Sequence, residues 1–262
     1  MAVTAQNWTY IMIQEEIFIK STLDDTLQPS LFFRAEGEEK RPLIVGLHTW
    51  SHNRTNQIQY LLAFAEEQNF NMLLPEFRGP NLTSNPKGSL ACGSLHAKQD
   101  IKDAIDYIKA NENIDTNNIF LIGLSGGGHM AMLMAGFCPE YFRTIAAFAP
   151  ISDLARWRGE APTYAVHIDH CCGGSETEMY DRSPIKYIDT IAKANLKIFH
   201  GRIDEIVPFK QSVDFYNEMM AKYPKARIYI DIFDGGHQFD RNLCKNWILS
   251  QYRPAKKQEV TG

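Results

Sequence analysis

The sequence predicts an α/β fold: a doubly wound, mostly parallel sheet covered by helices, with antiparallel strands at its start. Three observations carry that reading. Short apolar runs of strand length recur along the chain, the clearest being Leu43-Ile44-Val45-Gly46-Leu47 and Ile119-Phe120-Leu121-Ile122. Between such runs lie longer segments with apolar residues at helical spacing, the alternation that strands joined by helical crossovers produce. Third, Gly123-Leu124-Ser125-Gly126-Gly127 separates an apolar run from a helix-compatible stretch, where a sharp strand-to-helix turn calls for glycine. With 262 residues and 44% hydrophobic content the chain can bury one large core, so residues 1–262 read as a single domain.

Each element follows from its own pattern. Residues 8–20 and 28–35 read as two early strands parted by the polar turn Thr22-Leu23-Asp24-Asp25. Residues 43–47 form a continuous apolar run of the kind buried on both faces of a sheet. Residues 56–68 place Ile58, Leu61, Leu62, Phe64 and Ala65 on one helical stripe, and residues 70–74 return to strand. A helix over 98–109 aligns Ile101, Ala104, Ile105 and Ile108. The strand 119–124 enters the glycine turn, a helix leaves it, and 145–149 is the next strand. Strands at 196–199 and 227–233 are separated by a helix over 210–222, and a helix over 241–251 closes the pattern.

One segment breaks the rhythm. Residues 151–184 hold Trp157, Tyr164, His167, His170, Cys171, Cys172 and Tyr180 without a clear period. A stretch of that length inside a compact domain marks a functional insertion, read here as a lid or cap contributing to a substrate pocket.

Composition excludes several roles. The net charge is −4 and no long basic run occurs, which argues against a nucleic-acid partner. Arg253-Pro254-Ala255-Lys256-Lys257 reads as a solvated tail. No apolar run approaches the ~18 residues of a membrane span, and no charged segment followed by an apolar core suggests a signal peptide. The three Asn-x-Thr matches, at Asn7, Asn53 and Asn81, therefore read as chance. Five cysteines, an odd number, are too few for a disulfide scaffold and tilt the expectation toward a reducing, cytoplasmic compartment. Cys138 and Cys244 fall in helical patterns as small buried hydrophobes. Cys92, Cys171 and Cys172 are expected in loops, where a bridge from Cys92 to one of the pair stays open.

The chemistry centres on Ser125. Strand, G-x-S-x-G, helix is the context in which this motif reads as a nucleophile elbow. The first N–H groups of the following helix, and its positive dipole end, then lie beside any oxyanion that forms. A serine hydroxyl is a weak nucleophile and needs a base, which in turn needs an orienting acid. In a doubly wound sheet such groups sit at the carboxyl ends of strands. Among eight histidines that rule selects His237, in the loop after the last strand, and Asp204, in the loop after the strand before it. The resulting chain order is Ser125, Asp204, His237. Asp153, after the 145–149 strand, is the rival for the acid, and Asp204 is favoured by its Gly-Arg-Ile-Asp context. Asp234 is too near His237 in sequence to reach across.

These motifs give the chain a resemblance to the α/β-hydrolases, and more narrowly to the prolyl-oligopeptidase-like catalytic domain. It is carried by Gly123-Leu124-Ser125-Gly126-Gly127, by Phe199-His200-Gly201-Arg202-Ile203-Asp204-Glu205-Ile206-Val207-Pro208, by Gly235-Gly236-His237, and by Arg182-Ser183-Pro184. The likeness spans about residues 42 to 240. It implies a serine hydrolase with Ser125 as nucleophile, His237 as general base and acid, and Asp204 as orienting carboxylate. The oxyanion hole needs two donors. Gly126 N–H is one, and the other is expected from the loop after residues 43–47. Members of the group often have His-Gly-Gly there; this chain keeps His48 but has Thr49 and Trp50, so either could supply the second donor.

The expected substrate pocket comprises His48, Trp50, Trp157, Tyr164 and Tyr180, an aromatic lining suited to an acyl chain or a sugar face. His167-x-x-His170-Cys171-Cys172 carries metal-ligand residue types, but no second cluster follows, so it reads as pocket lining. No metal and no cofactor are expected. His129, one turn after Ser125, reads as a packed helix residue. About forty residues precede the first buried strand, too few for the propeller domain usual in peptidases of the group. That moves the expectation to a serine esterase acting on a small-molecule ester, with a small or medium acyl group or one carried on a sugar. A prolyl-oligopeptidase-type peptidase acting on short peptides is the alternative.

Overall fold

A computed structural model describes residues 12–254. The chain opens with a hairpin of β1 (Ile13–Lys20) and β2 (Leu27–Arg34), paired antiparallel with Lys20 opposite Leu27. Then follow β3 (Arg41–Leu47), α1 (Ile58–Gln68), β4 (Asn71–Pro75), α2 (Leu95–Asn111) and β5 (Ile114–Leu124). Next come α3 (Gly126–Phe137), β6 (Thr144–Phe148) and three short helices, α4 (Leu154–Glu160), α5 (Pro162–Cys172) and α6 (Glu176–Asp181). The series ends with α7 (Ile188–Ile191), β7 (Asn195–Gly201), α8 (Lys210–Lys222), β8 (Arg227–Phe233) and α9 (Arg241–Gln251).

The strands form one eight-stranded sheet in the order β1-β2-β4-β3-β5-β6-β7-β8. Pairing is antiparallel as far as β2–β4 and parallel beyond it. From β3 the chain steps outward to β4 and returns to β5 on the opposite side of β3. That reversal opens a crevice at the carboxyl ends of β3 and β5, where doubly wound sheets bind ligands. The register explains the unbroken apolar runs. Ile44 and Phe120 pair and face the core under α1 and α9, while Val45 and Leu121 pair and face the core under α2 and α3. Both faces are dry, so alternation disappears.

The structure extends some expected elements. Strand β5 starts at Ile114 rather than 119, and α2 starts at Leu95, where the Ser94 hydroxyl accepts from Ala97 N–H as N-cap. Expected strand residues 8–11, the Asn7 match and tail residues 255–257 lie outside the described chain. The insertion over 151–184 is helical, not loop. Its helices are too short to show a period, but their boundary signals are present: Asp153 and Ser175 as N-caps, Pro162 in the first turn, and Gly173 in the left-handed C-cap at φ 61°. Cys171 and Cys172 therefore end α5 rather than sit in a loop. All five cysteines are buried and free. Among the described residues no helix is long and apolar enough to cross a membrane.

Candidate active site

Ser125 stands between β5 and α3 with φ 57° and ψ −120°, a conformation that side chains larger than hydrogen rarely adopt. Its neighbours impose it: Ser125 N–H donates to Phe148 O and Ser125 O accepts from His129 N–H, both at 2.8 Å. A Cβ at Gly123 would stand 2.1 Å from Gly127 O, so the turn closes only with a hydrogen there. Ser125 lines a cavity of about 280 Å³, and His237 lines the same cavity. Among the described residues no hydrogen bond joins the two side chains, as is common before a substrate draws them together.

Asp204 and His237 converge from the ends of β7 and β8. His237 Nδ1 lies 2.7 Å from Asp204 Oδ2, and because a carboxylate can only accept, the imidazole donates there. Asp204 Oδ1 accepts Ile206 and Val207 N–H groups at 2.9 Å each. Buried His200 stands behind it: Nε2 donates to Val207 O at 2.8 Å and lies 3.2 Å from Asp204 Oδ2, leaving Nδ1 to accept from Ser212 Oγ at 2.7 Å. Burial pushes the Asp204 carboxyl up, but the bonds from His200 and His237 outweigh it and hold the group well below the usual carboxylate range. The rival Asp153 is occupied elsewhere, capping α4 through Arg156 N–H at 3.0 Å. Asp234 pairs with Arg202.

The two expected oxyanion donors meet as well. A Cβ at Gly126 would lie 2.6 Å from Trp50 N, so these backbones touch. Thr49 N–H is engaged with Asn56 Oδ1 at 3.4 Å, whereas Trp50 N–H has no acceptor among the described residues. Gly126 opens α3, where helix N–H groups lack intrahelical partners.

The pocket differs from expectation in three residues. Trp157 is fully buried, its Nε1 donating to Ile206 O at 3.0 Å; it supports Trp50 and Tyr164 from below, with ring centroids 5.0 and 4.7 Å away. His48 is buried behind the β3 loop, stacked on Phe77 at 3.9 Å. Tyr180 is exposed beside Lys186 on the far side of α6. Thr49, Trp50 and Tyr164 do line the cavity. So do Ser51, His52, Asn56, Gln59 and Tyr60, which the sequence reading passed over although they follow the carboxyl end of β3, where the strand-end rule points. His167 Nδ1 accepts from Thr83 N–H at 3.2 Å and His170 Nε2 donates to Asn85 O at 2.7 Å, so both rings tie α5 to the 80–90 loop. His129 is buried in α3 as expected.

A serine on a strand-to-helix elbow, in a sheet of this order, defines a serine hydrolase of the α/β-hydrolase class. The model of the prolyl oligopeptidase family matches residues 89–253, and the chain belongs to that family. It is similar to the human acylamino-acid-releasing enzyme, 27% identical over 72% of this chain and 28% of that one. In structure it resembles the acylaminoacyl peptidase of Pyrococcus horikoshii, with a TM-score of 0.70 and 20% identity over 87% of this chain and 38% of that one. An esterase of Pyrococcus furiosus shares the fold at a TM-score of 0.69 and 15% identity, covering 92% of this chain and 90% of that one. The chain spans under a third of the length of the first curated relatives it matches.

Proposed function

We propose that this chain is a serine peptidase that cleaves short peptides whose amino terminus carries an acyl group. One observation carries the reading: among the described residues lining the cavity around Ser125 and His237, none is Asp, Glu, Lys or Arg. A free ammonium would enter that space without a carboxylate to meet it, at a cost that burial makes large. A blocked, neutral amino terminus incurs no such cost. The relatives named as acylamino-acid-releasing enzymes support this substrate class. The ester expectation drew on the space left for a further domain, and that argument falls away for a chain spanning under a third of its relatives. The likeness to an esterase is one of fold.

In this reading His237 Nε2 takes the proton of Ser125 as Oγ attacks the carbonyl carbon. The oxyanion settles between Gly126 N–H and Trp50 N–H, each donor contributing ~2.7–4 kcal/mol to the transition state. Asp204 stabilises the imidazolium, which then protonates the departing amine. Water, deprotonated by His237, releases the acyl group from Ser125.

The test compares acetyl-alanyl-p-nitroanilide, alanyl-p-nitroanilide and p-nitrophenyl acetate by kcat/KM. The blocked anilide should exceed the free one at least about tenfold. Turnover of the ester with both anilides inert would return the reading to an ester hydrolase.

A further inference from the structure

Beside the catalytic cavity lies a second of about 190 Å³, between α1 and α9. Buried Leu61, Phe64 and Cys244 line it together with the Glu67–Lys245 ion pair, while Ala63 and Asn242, both exposed, stand at its edge. Three connections tie it to the first. Tyr60 lines both cavities. The Tyr60 ring packs on Phe239 with centroids 5.2 Å apart, and Phe239, two residues past His237, lines the second cavity. Arg241 Nη2 donates at 2.6 Å to the carbonyl of Gln59, which lines the first.

The position selects a half of the substrate. The leaving fragment takes its proton from His237 and so lies on the His237 side, whereas the carbonyl oxygen faces Gly126 and Trp50. Phe239, two residues past His237, lines the second cavity, and Tyr60 lines both, which puts that cavity on the leaving-fragment side. We infer that it receives a large apolar side chain on that fragment, so that scissile bonds followed by such a residue are preferred. The inference rests on Ser125 and His237 acting as proposed above. It does not depend on whether the acyl half is a blocked amino acid or a simple acid.

The experiment fills the cavity from its exposed edge with Ala63→Trp and, independently from the facing helix, Asn242→Trp. Two phosphonates with the same phosphonyl group are used, one losing fluoride and one losing 2-naphtholate, and the rate of Ser125 labelling is read. Both variants should slow the naphtholate-leaving reagent about tenfold while changing the fluoride-leaving one less than about twofold. Acetyl-alanyl-phenylalaninamide and acetyl-alanyl-glycinamide should divide in the same way. Equal slowing of both reagents, or of neither, would overturn the inference. So would sensitivity that follows the acyl half when only that half is enlarged. A parent chain that no phosphonate labels would overturn the Ser125 reading and this one with it. Labelling that divides as expected while unblocked peptides are the better substrates would overturn only the blocked-terminus reading.

Discussion

His48 Nδ1 donates to the carbonyl of Thr49 at 3.0 Å, and that carbonyl belongs to the same peptide unit as Trp50 N–H. A bond to one end of a planar peptide fixes the direction of the other. The ring is itself held, stacked on Phe77, with Nε2 3.3 Å from Glu76 Oε1. Glu76 Oε2 in turn accepts Arg54 N–H at 3.1 Å. His48, read from sequence as a pocket wall, is thus a support behind the candidate oxyanion donor.

His48→Leu should lower kcat by about tenfold to a hundredfold and leave KM nearly unchanged, because a misdirected donor is felt chiefly in the transition state. His48→Asn, whose amide can still reach the carbonyl, should recover part of the loss. Steady-state kinetics on one substrate decide it. A rise in KM with kcat intact would make His48 a binding residue instead.

Ser125 occupies a backbone conformation that glycine adopts freely. Ser125→Gly should therefore abolish phosphonate labelling and turnover while stabilising the fold by about 1 kcal/mol, strain relief exceeding the added chain entropy. Urea unfolding of both proteins measures the second effect. A variant less stable than the parent would show that the elbow holds no strain at this residue.

Asp204→Asn should reduce kcat by up to ~10⁴, since an amide cannot stabilise the imidazolium or fix its tautomer. Asp153→Asn should change little, because asparagine caps a helix about as well as aspartate. Collapse of activity in the Asp153 variant, with Asp204→Asn active, would transfer the acid role.

His129 gives stability a pH dependence. Burial, with repulsion from Lys98 and Arg182, pushes its ring down to about 4; Nδ1 donates to Ile151 O at 2.9 Å, and Nε2 has no partner among the described residues. In the unfolded chain a histidine titrates near ~6.5. Between those values the unfolded state binds a proton that the folded state refuses. The contribution is complete above ~6.5 and is lost as pH falls toward 4, at about 1.4 kcal/mol per pH unit. His129→Gln should remove about 2 kcal/mol of the parent's loss between pH 7 and 5, read from urea midpoints. Equal losses in both proteins would refute the assignment.

Element order was legible because periodicity is local: the apolar runs of β3 and β5 and the stripes of α1 and α2 are properties of neighbouring residues. The elbow was legible because Gly123-Leu124-Ser125-Gly126-Gly127 carries its own steric demand. Asp204 and His237 were legible because a doubly wound sheet brings successive strand ends together, so adjacency in space follows from order in the chain. The pocket was not legible in that way. Trp157, His48 and Tyr180 have the residue types of a lining, but burial of a loop or short-helix side chain depends on which distant element stacks upon it. Phe77 covers His48, and Ile206 O captures the Trp157 indole. Thr49 and Trp50 differ as candidate donors through two adjacent peptide planes, one whose N–H meets Asn56 and one whose carbonyl meets His48. Tyr60 became a shared wall only when α1 and α9 packed together beside β3. The contacts of Phe77 with His48, of Ile206 with Trp157 and of α9 with α1 join segments far apart in the chain, and local spacing carries no record of them.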